Sequence, residues 1–265
     1  ILIREGDPEG NPWGMSFMTM FHMANDSHLF RTRAELEGEG YVLEGNVFER
    51  EGERFLPLYE AKMIHHYDHR WATYEPDGST RELSLEEKQD PGFAVLPRYW
   101  VEEREVDGQV AGRWNREWLP GYRRITNTTN ERTVVASMLP RVGVGDSVFM
   151  PLGTKAQVAV LIANLSCLAF DYATRQKLGG NNLNFFLFNQ LPALAPSTYD
   201  QRTPWHPPSL LEDWVADRVD ELVYTAWDMQ PFALDVGDDG PPFVWDEERR
   251  AWLRAELDAA YFHLY

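Results

Sequence analysis

The stretch that decides the fold reads QVAVLIANLSCLAFDYATRQK over residues 157–177 and LGGNNLNFFLFNQLP over residues 178–192. The first half begins with a run that is apolar on almost every side, and only Asn164 and Ser166 interrupt this run. A helix with apolar side chains all round belongs in the interior of a protein. The sequence therefore predicts one buried helix around which the remaining elements pack.

The second half of this stretch predicts a turn and then a strand. Arg175 and Lys177 suit the C-terminus of the helix, and the Gly-Gly pair at 179–180 would end it. The short aromatic run at 185–191, bounded by Pro192, favours a strand. Between helix and strand lies Gly-Gly-Asn-Asn, a turn rich in amide side chains. An apolar pair of elements with a polar, cationic tip is typical of a recognition loop.

Composition limits the class of protein. The chain has 265 residues, 43% of them hydrophobic, which is enough for a sizeable core. Its one cysteine, Cys167, lies in the apolar helix, so we expect a core residue, no disulfide framework and a reducing, cytoplasmic location. The sequence contains no run of about 20 apolar residues, so it predicts no membrane-spanning helix. The first residue is Ile rather than Met, and we expect a fragment of a longer protein.

Charge divides the chain into three segments. The net charge of −17 is made up of −12 over residues 1–112, +5 over 113–199 and −10 over 200–265. A strongly acidic protein is unsuited to wrapping a polyanion, so we expect only the middle segment to approach phosphates. The alternative is that this asymmetry has no functional meaning.

Local signals predict an α+β protein with mixed sheets. Capping boxes at 32–35 and 84–87 would each open a short helix. Strand patterns occur at 41–44, 47–50, 55–59, 97–101, 133–138 and 148–150. Another strand begins at 122 and runs into a polar loop that ends at 130. Residues 102–112 are expected to form an exposed loop.

The same signals predict two domains. Residues 1–196 are expected to form the α+β domain, and the proline-rich segment 196–208 is expected to be a linker. Residues 205–265 then carry two helical patterns, one over 210–227 and one that Asp246 would cap. We expect this helical module to pack on the first domain.

A cluster of His65, His66, Asp68 and His69 raises the possibility of a metal site, because imidazole and carboxylate bind zinc. Adjacent histidines point in different directions on a regular backbone, however, and no cysteine or distant histidine pair completes a tetrahedral set. A polar rim that contacts a ligand or a nucleic acid is therefore favoured, and a metal-dependent hydrolase using these four residues is kept as an alternative.

Three blocks of sequence resemble the C-terminal part of large adenine-specific DNA methyltransferases, the class found in type IIG restriction-modification enzymes and related phage-defence systems. The blocks are MFHMANDSHLFR (20–31) with LPLYEAKMIHHYDHR (56–70), ITNTTNER (125–132) with ASMLPR (136–141), and ATRQKLGGNNLNFF (173–186) through QLP (190–192). The resemblance covers nearly the whole chain, and the third block is the most specific.

In that family this region follows the catalytic domain and acts as the target-recognition domain. The resemblance therefore implies a mixed-sheet target-recognition domain that binds double-stranded DNA, positions an adenine for methylation and docks on the catalytic domain of its own parent chain. The catalytic Asn-Pro-Pro-aromatic motif and the S-adenosylmethionine site of the family are not in these 265 residues. We accordingly expect no chemistry and no cofactor in the fragment itself.

Candidate DNA contacts follow from residue type, since Asn reads adenine, Arg reads guanine and cations meet phosphate. The candidates for base reading are Asn127, Asn130, Arg175, Asn181 and Asn182. The candidates for phosphate contact are Lys62, Arg70, Arg123, Arg124, Arg132, Arg141, Lys155 and Lys177. The alternatives are turn formation for each Asn and, for the arginines, a protein-docking module that meets acidic partners.

Overall fold

The computed structural model describes residues 1–154 and 157–265, and it has the predicted α+β composition. In chain order the strands are β1 (Ser16–Met18), β2 (Val42–Glu44), β3 (Val47–Arg50), β4 (Glu53–Tyr59), β5 (Ala72–Tyr74), β6 (Thr80–Glu82), β7 (Trp100–Glu102), β8 (Trp118–Arg123), β9 (Ala136–Pro140), β10 (Gly143–Val144) and β11 (Val148–Leu152). The α-helices are α1 (Arg33–Gly38), α2 (Leu85–Gln89), α3 (Glu103–Val110), α4 (Val158–Ser166), α5 (Leu168–Lys177), α6 (Phe185–Asn189), α7 (Leu211–Val223), α8 (Gln230–Val236) and α9 (Glu247–Leu264).

One sheet is mixed, with strand order β10-β4-β3-β2 and β7 added beside β4. The predicted three-stranded pattern at 41–59 is confirmed, because β2, β3 and β4 pair antiparallel in sequence. β10 runs parallel to β4, with Gly143 opposite Leu58. The two predicted capping boxes, at Thr32 and Ser84, are also present and begin α1 and α2. The β2–β3–β4 pairing and the capping boxes could be predicted from the sequence because their contacts are local.

A second sheet is antiparallel, with strand order β1-β11-β8-β9. Every residue of β9 and β11 is buried, so these strands are covered on both faces. α4 lies against β9 on one face. The ladder places Tyr122 of β8 between Ala136 and Phe149, near the end of the sheet where the chain leaves for the polar loop.

The apolar stretch at 157–177 forms two helices rather than the one predicted. α4 and α5 meet at an angle of 67°, and Cys167 between them has an extended backbone. Every residue of α4 is buried, as predicted. Asn164, which interrupts the apolar run, accepts from the Leu194 amide at 2.8 Å and donates to the Tyr265 hydroxyl at 2.7 Å. Its polar groups are therefore satisfied inside the core.

The strand predicted at 185–191 is wrong, because these residues form α6. Asn184 caps the helix by accepting a hydrogen bond from the Leu187 amide at 3.0 Å. Phe185 and Phe188, three residues apart, both pack inward, and Phe188 stacks on Tyr122 with ring centroids 4.3 Å apart. Side chains three apart share one face of a helix but lie on opposite faces of a strand, so tertiary packing selects the helix.

The exposed loop predicted at 102–112 is also wrong. β7 ends at Glu102, and α3 begins at the next residue. Val106 and Val110 of α3 are buried against the sheet, one helical turn apart. Because polar residues separate the two valines, this short apolar stripe was not recognised in the sequence. The strand predicted at 97–101 is β7, displaced by three residues at its start.

The C-terminal helices share one hydrophobic core with the sheets. α7 packs on α4, and α9 packs on α5 and α7. The proline-rich segment at 196–208 is tied into the same core, because Tyr199 and Thr203 are buried and the hydroxyls of Tyr199 and Tyr261 lie 2.8 Å apart. Asp246 caps α9 as predicted, accepting from the Arg249 amide at 2.7 Å.

Over residues 1–154 and 157–265, no single helix is long and apolar enough to cross a membrane. α4 and α5 together would have sufficient length and apolar composition, but they are bent relative to each other.

Candidate nucleic-acid interface

Two of the segments predicted to read DNA lie side by side. The chain beyond β8 pairs antiparallel with the Gly-Gly-Asn-Asn turn through a bridge between Ile125 and Asn182. Two backbone hydrogen bonds of 2.9 Å, one on each side of the bridge, hold the segments together. We call residues 124–131 and 179–183 the recognition ridge. Segments more than 45 positions apart in sequence thus form one continuous surface.

Arg175 holds the first half of this ridge in place. Its guanidinium donates to the carbonyls of Asn130 and Glu131 at 2.7 and 3.0 Å, and also to the Thr128 carbonyl. The Asp171 carboxylate orients it from one helical turn away, 2.5 Å from Nε. Arg175 was predicted to read a base, but its donors are used inside the protein. Its role is to shape the loop.

The four asparagines differ in how far the fold occupies their amides. The side-chain oxygen of Asn127 accepts from the Thr129 amide at 3.0 Å, and the side-chain amide of Asn130 donates to the Thr126 hydroxyl at 3.3 Å. Both residues are exposed, but their side chains also stabilise the turn. Asn181 is exposed. Asn182 is half-buried, and its side-chain oxygen has no hydrogen-bond partner among the described residues.

Two exposed apolar side chains, one within the ridge and one beside it, were not predicted from the sequence. Ile125 lies within the ridge with 48% of its surface exposed, and Phe186 at the start of α6 is 71% exposed. The Gln190 amide group donates to the Phe186 carbonyl at 3.1 Å and accepts from Lys177 at 3.4 Å, so Phe186 lies near that lysine. The signal was the helical period of α6, which turns Phe186 outward when its neighbours face the core.

Three of the predicted phosphate contacts remain available at or near the ridge. Lys62 and Lys177 are exposed and form no ion pair within the described residues. The Arg124 side chain is 36% exposed and lies 3.8 Å from Asp146. The Ser147 side chain accepts from the residue before Lys62, and its carbonyl accepts from the Arg124 amide, so these two cations belong to adjoining segments.

The prediction that Arg70 contacts phosphate is wrong, because the side chain is fully buried. It donates to the carbonyls of Lys88, Asp90, Phe93 and Thr225 at distances from 2.8 to 3.1 Å. Burial lowers the pKa of its guanidinium. Arg70 therefore fastens the C-terminal helices to the sheet region.

Arg123 and Arg132 also act within the fold. The half-buried guanidinium of Arg123 donates to the Ile64 carbonyl at 3.0 Å, and burial lowers its pKa. Arg132 lies 2.8 Å from the Asp258 carboxylate, and the two side chains are only 13% and 14% exposed. A phosphate would have to displace these partners to reach either arginine, which corrects their predicted role.

Arg141 pairs with carboxylates as well, at 2.6 Å from Asp107 and 3.4 Å from Glu117. Lys155, another predicted phosphate contact, lies outside the described residues. Carboxylates of the two acidic flanks, Asp107 and Asp258, thus pair with two cations of the middle segment.

The histidine cluster does not form a common site. His65 stacks on Trp71 with ring centroids 4.3 Å apart, and burial lowers its pKa to about 4. His66 is buried edge-on to His65, and neither of its ring nitrogens has a hydrogen-bond partner among the described residues. Burial, followed by the charge of His65, lowers the pKa of His66 well below its ordinary value.

The other two members of the cluster are engaged elsewhere. Asp68 forms a buried ion pair with Lys88, and His69 Nε2 lies 2.8 Å from the Asp228 carboxylate. In the part of the chain that the structure describes, no three His, Cys, Asp or Glu side chains are grouped to hold a metal. The geometry therefore gives the hydrolase alternative no support.

Comparison of the chain with protein-family models, with curated proteins and with solved structures finds no match.

Proposed function

We propose that this chain is the DNA target-recognition domain of an S-adenosylmethionine-dependent, adenine-specific DNA methyltransferase. The observation that carries the proposal is the recognition ridge itself. Two amide-rich segments that resemble separate blocks of that family are joined by a short antiparallel ladder into one exposed surface. Arg175 fixes the shape of one half, so little order has to be gained on binding.

The chemistry of the ridge suits duplex DNA. The exposed amide of Asn181 can pair with the N6 and N7 atoms of adenine in the major groove, and Asn127 retains a free amide nitrogen for a similar contact. Arg124 and Lys177 flank these amides and would position the protein on phosphates without specifying sequence. Ile125 offers an apolar contact of the kind made with the thymine methyl group.

The proposal assigns no catalytic residue to this chain. Methyl transfer would belong to the catalytic domain of the parent protein, which would also hold S-adenosylmethionine. A cytoplasmic location is part of this proposal. The acidic surface outside the ridge would keep DNA away from other faces of the domain.

Few cations at the ridge imply modest affinity and a shallow dependence on salt. If Lys62, Arg124 and Lys177 each neutralise one phosphate, the slope of log K against log salt is about −2.7. Affinity of this kind is sufficient when the parent's catalytic domain holds the other side of the duplex.

The test is fluorescence anisotropy of labelled duplex DNA titrated with the chain at low and moderate salt. Arg124→Ala and Lys177→Ala should each weaken binding and reduce the salt slope by about one. Arg98→Ala is the matched control, because Arg98 is an exposed arginine remote in sequence from the ridge. Equal losses for all three variants would indicate a general charge effect and would contradict the assignment of the ridge.

A protein-docking function is the second candidate, and the net charge of −17, which is unsuited to a polyanion, favours it. If neither the chain nor the full parent protein binds duplex DNA at low salt, the docking function replaces the DNA-binding proposal.

A further inference from the structure

The longest helix, α9, carries two apolar stripes. Leu253, Leu257 and Tyr261 are buried in the core. A second set, Trp252, Ala255, Ala259 and Phe262, follows the spacing 3-4-3 on the opposite side and is exposed, with Trp252 at 62% and Phe262 at 61%. Side chains at this spacing form one continuous stripe on a helix. Nothing within the core requires the second stripe.

The order of residues along this stripe is self-complementary. It reads large, small, small, large, and it is symmetric about Leu257. An antiparallel second copy related by a two-fold axis at that point would place Trp252 opposite the partner's Phe262 and Ala255 opposite the partner's Ala259. An isologous interface requires this reciprocal pairing. The central alanines let the two helix backbones approach closely.

A groove beside the same stripe would receive the aromatic side chain of the other copy. It has a volume of about 580 Å³ and is lined by Trp205, Trp214, Ala259 and His263 among others. The rings of Trp205 and Trp214 meet edge to face at 5.2 Å, which gives the groove aromatic walls. Arg218 lies 3.5 Å from the centre of the Trp214 ring and is paired with a carboxylate of α9, so the far wall is fixed.

The geometry of the helix places this groove on the correct side. At 100° per residue, Trp252, Ala259 and His263 project within about 40° of one another around α9. A two-fold axis perpendicular to the helix pair keeps each side chain on the same side of the interface. Trp252 therefore faces the groove of the opposite copy rather than solvent.

We propose that two copies of this chain associate through antiparallel α9 helices, with Trp252 of each copy seated in the groove formed by the partner's Trp205 and the partner's His263. Buried aromatic anchors in matching pockets are the usual energetic centre of an interface. A dimer would present two recognition ridges, although the association itself does not depend on DNA binding.

Charge supplies a distinctive signature for this interface. Each copy carries a net charge of −17, so the two copies repel each other at low salt. Salt screens that repulsion, and association should strengthen as salt rises. DNA binding by the recognition ridge has the opposite salt dependence.

Sedimentation equilibrium of the whole chain, at low and high salt across the micromolar range, tests the proposal. We expect a concentration-dependent dimer that tightens with salt, at least a tenfold loss for Trp252→Ala and no change for Trp227→Ala. Trp227 is the matched control, since it is a tryptophan with 48% exposure outside α9. A wild-type chain that stays monomeric at every salt concentration, or a Trp252→Ala chain that dimerises like wild type, overturns the proposal.

A mixing experiment separates the reciprocal interface from loss of folding. Trp205→Ala lacks the groove but keeps Trp252, whereas Trp252→Ala keeps the groove. Each variant alone has no complete contact, but a heterodimer of the two has one. Mixed samples should therefore associate more tightly than either variant alone. Failure to recover association, with both variants showing wild-type circular dichroism, excludes the proposed pairing.

Discussion

The replacement of Arg70 by methionine tests whether this residue, which was predicted to contact DNA, instead stabilises the fold. The methionine keeps much of the apolar stem but removes the guanidinium. Four carbonyl oxygens, at 2.8 to 3.1 Å in the folded protein, would lose their donor. The buried carboxylate of Asp68 and the half-buried carboxylate of Asp228 would also lose a nearby positive charge.

The magnitude follows from the structure. Four buried acceptors left unsatisfied at about 1 kcal/mol each give about 4 kcal/mol, which agrees with roughly 3–5 kcal/mol for breaking a buried charged network. An unfolding entropy of about 2.1 cal/mol/K per residue over 265 residues converts this to a fall of about 7 °C in the melting midpoint.

Urea and thermal unfolding followed by circular dichroism would measure the change, with Arg98→Met as the exposed control. The control should alter the free energy of unfolding by less than about 0.5 kcal/mol. At a temperature where Arg70→Met is folded, its affinity for duplex DNA should equal that of wild type. A loss of stability under about 1 kcal/mol, together with weaker DNA binding, would refute the structural role of Arg70.

The recognition ridge, a buried carboxyl group and a helix cap provide three further tests. Arg175→Ala should speed amide hydrogen exchange at Asn130 and weaken DNA binding while the core stays protected, and uniform exchange across the chain would contradict this. Burial, and then the Asp238 carboxyl, raise the pKa of Asp220 to about 8. Because the folded pKa exceeds the unfolded one, its contribution to stability is lost as pH rises from about 4 to 8. Asp220→Asn should therefore stabilise the protein at pH 8, by roughly 1–3 kcal/mol, but not at pH 4, as urea unfolding at both pH values would show. Asn184→Ala should cost about 1 kcal/mol in unfolding experiments, and a neutral result would mean that aromatic packing alone holds α6.

Measurements of DNA affinity and of stability should divide the predicted phosphate contacts into two groups. Arg124 and Lys177 have few internal partners, whereas Arg70 and Arg132 have several. Variants of the first pair should change DNA affinity without changing stability, and variants of the second pair should do the reverse. This separation can be measured with the same proteins in both assays.

The sequence by itself determined the local elements and the buried character of the central stretch. The hairpin at 41–50, the capping boxes and the cap of α9 depend on contacts within a few residues, so their signals are complete in the printed sequence. The burial of residues 158–166 also follows from composition, since an all-apolar helix has no face suited to water.

Only the tertiary structure decided the bend at Cys167, the helical conformation of 185–189 and the partners of the arginine side chains. Phe188 selects the helix through its stack on Tyr122, a residue more than 60 positions earlier. The sequence alone predicts that Arg70 and Arg132 contact phosphate. In the fold they instead contact Thr225 and Asp258, respectively. The physical reason is that an arginine's role depends on which acceptors surround it, and the long-range packing of the core determines those acceptors.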